Sequence, residues 1–210
     1  MGISGIILAG GKSLRMGQDK TFMSFNNETL IEHTVKELQS VTDEIIIASN
    51  DLSKYNISGL VEVRDIFPDM GPLGGMHAGL TAAKNDYAFV VSSDLPMFHA
   101  RLASYLLERR KGYDVVVPEI HGYWEPLCAV YARDCLAAIE KCLRADIRQV
   151  SQFYQDVKVL KIKEAELRIF GKTEELFYNL NTPEDYQALV RRKKDGWGVK
   201  STILDEPKRI

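Results

Sequence analysis

Gly5-Ile6-Ile7-Leu8-Ala9-Gly10-Gly11-Lys12-Ser13-Leu14-Arg15-Met16-Gly17-Gln18-Asp19-Lys20 is the stretch that decides the fold. Its apolar opening starts at Ile3, runs to Ala9 with a β-branched centre, and breaks at paired glycines. That pattern is a buried strand emptying into a loop. In an open α/β sheet the loop at a strand's carboxyl end is where ligands sit. Glycine lets backbone N–H groups approach an anion closely, and Lys12, Arg15 and Lys20 supply charge to neutralise it. The loop is expected to cradle a nucleoside triphosphate, against the plainer alternative of a turn with surface cations.

Two better-known phosphate loops do not match. The P-loop needs a glycine five residues before Gly-Lys-[Ser/Thr]. Gly11-Lys12-Ser13 supplies the end, but Ile6 occupies the required first position and Gly5 is one residue out of register. The dinucleotide fingerprint needs spaced glycines, and Gly10 and Gly11 are adjacent.

Outward from this loop, strands and helices alternate. Helical spacing of Leu30, Ile31, Val35 and Leu38 predicts a helix over 28–40. A second buried strand follows over 43–49, ending at Asn50, then a connection with a short helical turn over 51–59. A third strand over 60–64 ends at Asp65. Pro68-Asp69-Met70-Gly71-Pro72 marks a loop. The small residues after it suit a helix over 73–85, packed tightly with its positive end toward the first loop. The strand over 87–93 ends in Ser93-Asp94-Leu95-Pro96, and a helix over 99–111 closes at Gly112 as a C′ glycine. This alternation argues for an α/β fold with a mainly parallel sheet and right-handed crossovers.

The second half is more mixed. A strand is expected over 113–118. The segment 122–131 is expected to be an edge strand or hairpin arm, because Pro126 lacks a ladder donor. Further expectations are helices over 133–144 and 147–154 and strands over 157–163 and 176–180. A last helix over 183–193 is capped by Thr182 with Pro183 at its first position. Residues 1–194 are expected to form a single domain, with a nucleotide-binding half (1–100) and an acceptor half (101–194). Residues 195–210 are left as a tail.

Composition narrows the function. The chain has 210 residues, 45% of them hydrophobic and 27% charged, with a net charge of −2. No global field favours nucleic acid or a membrane, so an anionic ligand must be held locally. No apolar run is long enough to span a bilayer, and no secretory pattern opens the chain, so a cytoplasmic location is expected. Cys128, Cys135 and Cys142 are odd in number and form no Cys-x-x-Cys pair. Buried free thiols are the expectation.

The acidic strand ends carry the remaining chemistry. Asp94 follows a buried strand at the ligand face and reads either as a magnesium ligand or as a helix N-cap. Asn50 and Asp65 could bond nucleoside hydroxyls or base edges, or be turn residues. Gln18 and Glu125 carry no reading from the pattern.

Leu8 to Lys20 as a whole resembles the signature of nucleotidyltransferases with a glycosyltransferase-A-like fold, and its Arg-Met-Gly-x-Asp-Lys form is most similar to the molybdenum cofactor guanylyltransferases. Arg64-Asp65 with Gly71-Pro72-Leu73-Gly74-Gly75 resembles that family's second motif, and Ser93-Asp94-Leu95-Pro96 its metal-binding Asp-x-Pro. Glu125 to Tyr131 is similar to its Pro-Leu strand, and Asn179 to Asp185 to its C-terminal Asn-x-Asn-Thr-Pro-Glu-Asp. The resemblance implies a Rossmann-like three-layer α/β/α fold with a mainly parallel, partly mixed central sheet. It implies GTP binding by Leu8, Ala9, Gly10, Gly11, Lys20, Asn50 and Asp65, with Mg²⁺ on Asp94. It implies transfer of GMP to molybdenum-molybdopterin, with pyrophosphate released. Molybdoenzymes or cofactor-carrier proteins would receive the product.

Such a reaction asks for positioning and charge neutralisation more than covalent chemistry. Arg15 and Lys20 are assigned to phosphate charge, Asp94 to the metal, and the Gly10–Gly11 backbone to close contact with the nucleotide. The acceptor is expected near Trp124 to Leu127 and Asn179 to Thr182. Two alternatives stand beside this. One is a sister enzyme, either a molybdopterin cytidylyltransferase or a sugar-1-phosphate nucleotidyltransferase. The other is a non-catalytic nucleotide- or cofactor-binding protein on the same fold.

Overall fold

The computed structural model describes residues 2–10, 24–25, 28–52, 54–55 and 57–194. Strand β1 (Ile3–Leu8) is buried along its whole length and lies in the middle of the main sheet. A two-residue ribbon, β2 (Ser24–Phe25) with β3 (Glu28–Thr29), leads into helix α1 (Leu30–Gln39). Thr29 caps α1, with its Oγ1 accepting from the Glu32 N–H while the Glu32 carboxylate accepts from the Thr29 N–H. Then come β4 (Glu44–Ala48), β5 (Val61–Val63), α2 (Pro72–Ala82), β6 (Tyr87–Ser92) and α3 (Ala100–Glu108). The rest of the chain supplies β7 (Val115–Ile120), β8 (Tyr123–Trp124), β9 (Cys128–Ala132), α4 (Leu136–Arg144), β10 (Val159–Lys163), α5 (Glu164–Leu167), α6 (Thr173–Leu176) and α7 (Pro183–Lys194).

The sheet runs β10-β7-β9-β6-β1-β4-β5, with β8 paired to β7 off this path. β1, β4, β5 and β6 are mutually parallel. β9 is inserted antiparallel between β6 and β7. The sheet is therefore mixed, and it passes without a break from the first half of the chain into the second.

Two cores cover its faces. β1 alternates, so Ile7 joins Ile31, Val35, Leu38, Leu102 and Leu106 under α1 and α3. Ile6 joins Leu73, Met76, Leu80, Ile139 and Leu143 under α2 and α4. Each fully buried aliphatic of this kind contributes roughly 1.5–3 kcal/mol. α2 lies closely against β1. A Cβ on Gly79 would stand 2.5 Å from Ile6 Cγ2, and one on Gly75 would stand 3.2 Å from Leu8 Cδ2. These glycines let α2 lie against β1.

Several sequence expectations are corrected. The 122–131 segment is a hairpin arm, one of its two expected forms, since β8 and β9 both pair antiparallel with β7, but it is not an edge strand: Pro126 lies in the turn between β8 and β9, and β9 is fully buried between two neighbours. Its ladder donors all come after the proline. No strand forms over 176–180. Thr173-Glu174-Glu175 starts α6 instead, and Leu180 contributes one backbone bond to the turn at Asp94. Among the described residues of 51–59 there are bends and a turn, not a helical turn. The 147–154 helix is a 3₁₀ segment over Val150–Asp156. Gly112 is not the C′ residue of α3, whose C-cap is Arg109. With φ 86° it serves the following turn, closed by the Tyr113 N–H on the Arg110 carbonyl. All three cysteines are free and buried, as expected.

Candidate active site

Parallel strands deliver their carboxyl ends to one edge of a sheet. Here β1, β4, β5 and β6 bring Ala9-Gly10, Ser49-Asn50, Arg64-Asp65 and Ser93-Asp94 to that edge together. Backbone bonds carry the order past the strands. The Ala9 N–H donates to the Ala48 carbonyl at 3.0 Å, Ser49 N–H to Val63 at 2.9 Å and Ser93 N–H to Leu8 at 3.1 Å.

Within the first loop, Leu8 and Ala9 are buried and their backbones are already engaged. The Ala9 carbonyl also accepts from the Tyr55 hydroxyl at 2.9 Å. Gly10 is exposed, and a Cβ built there would meet nothing closer than 3.8 Å. Its lack of a side chain leaves open space at the sheet edge and is not needed for internal packing. Gly11, Lys12, Arg15 and Lys20 lie outside the described residues.

Asn50 and Asp65 meet across the β4–β5 edge. The Asn50 amide donates to Asp65 Oδ2 at 2.9 Å, and the Asp65 N–H points back at Asn50 Oδ1 at 3.4 Å. Burial pushes the Asp65 carboxyl up, the Asn50 bond opposes this, and Asp69 adds to it. Cβ atoms on Gly74 and Gly75, at the start of α2, would stand 3.4 and 3.5 Å from the Asp65 carboxylate. The positive end of α2 thus points to the same face as the first loop, as its sequence predicts. Behind it, buried His77 lies edge-on to Phe67 at 5.1 Å and places Nε2 3.2 Å from Glu140 of α4. Neither His77 nor Tyr55 stands out in the sequence as part of the site; only the fold brings them there.

Asp94 is half-buried in the turn after β6. It does not cap α3, because the N-cap there is His99, whose Nδ1 accepts from the Leu102 N–H at 3.2 Å. The N-cap alternative for Asp94 is thereby removed. Two segments of the second half converge on this turn. The Ser92 N–H donates to the Leu127 carbonyl at 2.9 Å, and the Leu180 N–H donates to the Asp94 carbonyl at 3.0 Å. Asn179 to Thr182 is fixed in turn by Asp185, whose carboxylate accepts from the Asn181 and Thr182 N–H groups at 2.9 and 2.8 Å. Thr182 caps α7, as expected, through its Oγ1 on the Asp185 N–H.

Glu125 joins them. It precedes Pro126 in a turn closed by the Cys128 N–H on the Glu125 carbonyl at 3.2 Å. Burial pushes its carboxyl up to about 7. An acid perturbed by desolvation at this end of the sheet is a functional candidate.

A loop after a central parallel strand, a polar pair and a carboxylate at one sheet edge fit an α/β protein of the nucleotidyltransferase class. The sequence profile of the MobA-like NTP transferase domain matches residues 5–159. A probable molybdenum cofactor guanylyltransferase of Pelotomaculum thermopropionicum is 40% identical over 182 residues, spanning 87% of this chain and 89% of that protein. A molybdenum cofactor guanylyltransferase of Syntrophotalea carbinolica is 35% identical over 197 residues, 93% of each chain. The crystal structure of molybdopterin-guanine dinucleotide biosynthesis protein A from Archaeoglobus fulgidus superposes with a TM-score of 0.78 at 23% identity, covering 91% of this chain and 99% of that one. The chain belongs to the MobA-like nucleotidyltransferase family.

No helix among the described residues is long and apolar enough to cross a membrane.

Proposed function

We propose that this enzyme transfers GMP from GTP to molybdenum-molybdopterin, forming the guanine dinucleotide cofactor and pyrophosphate. The observation that supports this most is the extent of the likeness to guanylyltransferases. At 40% identity it spans 87% of the chain, so it takes in the segments of the second half that converge on Asp94 as well as the nucleotide loop.

In this reading Gly10 and Gly11 approach the triphosphate with their backbones, while Lys20 and Arg15 neutralise its charge. Asn50 and Asp65 act as one unit. The amide fixes the carboxylate's direction, leaving an acceptor for the hydroxyls or N–H groups of the nucleoside. Residues 124–127 and 179–182 hold the acceptor phosphate against Asp94. In-line attack of that phosphate on the α-phosphorus then breaks the bond to the pyrophosphate leaving group. Positioning of two anions and cancellation of their repulsion supply most of the rate.

The donor set fits magnesium. Asp94 offers hard oxygen at a half-buried strand end beside the phosphate loop, and Mg²⁺ takes one or two carboxylates together with substrate phosphates. When bound, Mg²⁺ neutralises the phosphate charge as it develops. A different group, His121, Glu164 and Glu174, holds its ligand atoms within 4.8 Å of one another at the carboxyl end of β7. It is a set of ion pairs, exposed at His121 and Glu174, separated from β6 by β9, and it includes an imidazole, so magnesium is assigned to Asp94.

Calorimetric titration with GTP, CTP and ATP, each with and without Mg²⁺, tests the reading. Metal-dependent preference for GTP, followed by pyrophosphate release when molybdenum-molybdopterin is added, is expected. Preference for CTP would move the function to a cytidylyltransferase. Binding without metal dependence and without pyrophosphate would make the chain a nucleotide-binding protein.

A further inference from the structure

We propose that Tyr55 is a positioning residue of the nucleotide site: its hydroxyl fixes the peptide between Ala9 and Gly10 so that the Gly10 N–H faces the nucleotide. This rests on the reading, given above, that Gly10 meets the nucleotide with its backbone.

The first support is a missing rung. β1 and β4 pair in parallel up to Leu8 with Ala48, and the Ala9 N–H still donates to the Ala48 carbonyl. In a parallel ladder, a residue that donates to position 48 of its neighbour accepts from position 50. Among the described residues no such bond joins the Asn50 N–H to the Ala9 carbonyl. The Asn50 side chain is turned to Asp65, and the Tyr55 hydroxyl takes the Ala9 carbonyl at 2.9 Å. One side chain thus replaces the donor that the strand gives up. Asn50 can leave the ladder without stranding a buried carbonyl, which would otherwise be costly.

The second support is the geometry of one peptide. No described peptide bond is cis. In a planar trans peptide the carbonyl and the following N–H point in opposite directions. Tyr55 is buried and belongs, with Ala9 and Phe98, to the core under α1 and α3. The Ala9 carbonyl points to the Tyr55 hydroxyl, so the Gly10 N–H points away from it. Gly10 is exposed, and no acceptor among the described residues takes its N–H. A backbone donor held in this way at the end of a central strand suits an anionic or polar acceptor on the ligand.

The third support is the anchoring of Tyr55 itself. Its ring is only 8% exposed, and the Lys54 ammonium lies 5.4 Å from the ring centroid. Upstream, the Ser49 hydroxyl accepts from the Asp51 N–H at 3.2 Å and so fixes the turn by which the chain leaves β4. The segment that carries Asn50 therefore also returns Tyr55 to the first loop, and one connection sets two of the candidate nucleotide contacts.

The test is titration with GTP and Mg²⁺ of wild type, Tyr55→Phe and Val35→Ala. Thermal melting and spectra of ¹⁵N-glycine-labelled protein are measured in parallel. Tyr55→Phe keeps the ring and removes only the hydroxyl. Val35→Ala opens the same core on α1. Tyr55→Phe should weaken GTP binding about tenfold, the worth of one hydrogen bond to a charged group. The Gly10 amide resonance, identified by its loss in Gly10→Ala, should shift when GTP binds wild type and shift less in Tyr55→Phe. Val35→Ala should melt lower, as truncation of a buried side chain does, and bind GTP as wild type does. Wild-type GTP affinity in Tyr55→Phe overturns the assignment, whatever that variant's melting temperature. Equal loss of affinity in both variants also overturns it, because the effect is then one of core stability. A wild type that binds no GTP removes the nucleotide reading itself and the role of Tyr55 with it.

Discussion

Residues 1–100 and 101–194 reach one candidate reaction edge by opposite routes. In residues 1–100 the strands of the main sheet are all parallel to one another, so each candidate residue follows a strand: Gly10 after β1, Asn50 after β4, Asp65 after β5 and Asp94 after β6. In the acceptor half β9 runs the other way, and its amino end meets the carboxyl end of β6. Glu125-Pro126-Leu127 therefore precedes its strand. Residues 179–182 belong to no strand and are drawn in by one backbone bond to Asp94. A parallel half declares its site in the sequence, and an antiparallel insertion conceals it. The seam between them is Asp94, which both halves touch.

The sharpest way to break this comparison is at the seam. Asp94→Asn keeps volume and removes the metal-binding charge. Several kcal/mol of transition-state stabilisation should be lost, so kcat/KM for GTP should fall about 10³-fold while melting is unchanged. Wild-type turnover at saturating Mg²⁺ would show that the halves do not meet at Asp94.

Next in size is the packing of the nucleotide half. Gly79→Val puts branched carbons where Ile6 Cγ2 already stands 2.5 Å from an ideal Cβ, on a strand residue that is fully buried. Overpacking of this kind costs about 3 kcal/mol. Denaturant unfolding should show that loss. GTP affinity should fall with it, because α2 carries the glycines against Asp65. A variant as stable as wild type would mean that α2 does not need its close approach to β1.

Charge in the loop comes third. Lys20→Ala should weaken GTP binding roughly tenfold to a hundredfold while guanosine binding changes little, since a cation facing phosphate acts only where phosphate is present. Titration of both ligands checks it. Equal losses would make Lys20 a structural residue of the nucleotide half.

Legibility follows the same division. The alternation of Ile3–Ala9, Ile45–Ala48 and Ala88–Val91 with amphipathic segments dictates a doubly covered sheet, because runs apolar on both faces must be buried on both. The strand-end rule places Gly10, Asn50, Asp65 and Asp94 at one edge with plainer readings still open, and the family resemblance then singles them out. It gives no pairing of Asn50 with Asp65, which depends on β4 and β5 being neighbours in space. Pro126 points in the wrong direction: a proline signals an edge, yet it sits one turn before a central strand, where its missing N–H costs nothing. Glu125 gives no local signal at all, since its meaning comes from the direction of β9. His77 reads as one histidine among four, and only α4 supplies its Glu140 partner. Leu176 to Leu180 has strand-like composition, but Leu176 closes α6 and the Leu180 N–H is taken by the turn at Asp94.

The smallest expected effect lies just past the seam, at His99, where the chain leaves Asp94 for the acceptor half. His99 caps α3 with a neutral ring nitrogen, Nδ1 accepting from the Leu102 N–H. Burial pushes its pKa down, Arg101 pushes the same way, and Glu37 opposes them. A histidine whose folded pKa lies below its unfolded value of about 6.5 favours folding when neutral. Its contribution is therefore complete above about pH 6.5 and is lost as the pH falls below that through the folded value. The loss should be about 1 kcal/mol, the worth of an N-cap. His99→Asn keeps an acceptor for Leu102 and cannot titrate, so the acid-side slope of stability between pH 7 and 5 should flatten. His99→Ala should lower stability at pH 7 and flatten the slope as well, because it has no acceptor left to lose. If both variants keep the wild-type slope, the pH sensitivity lies in other groups, and the seam does not depend on this cap.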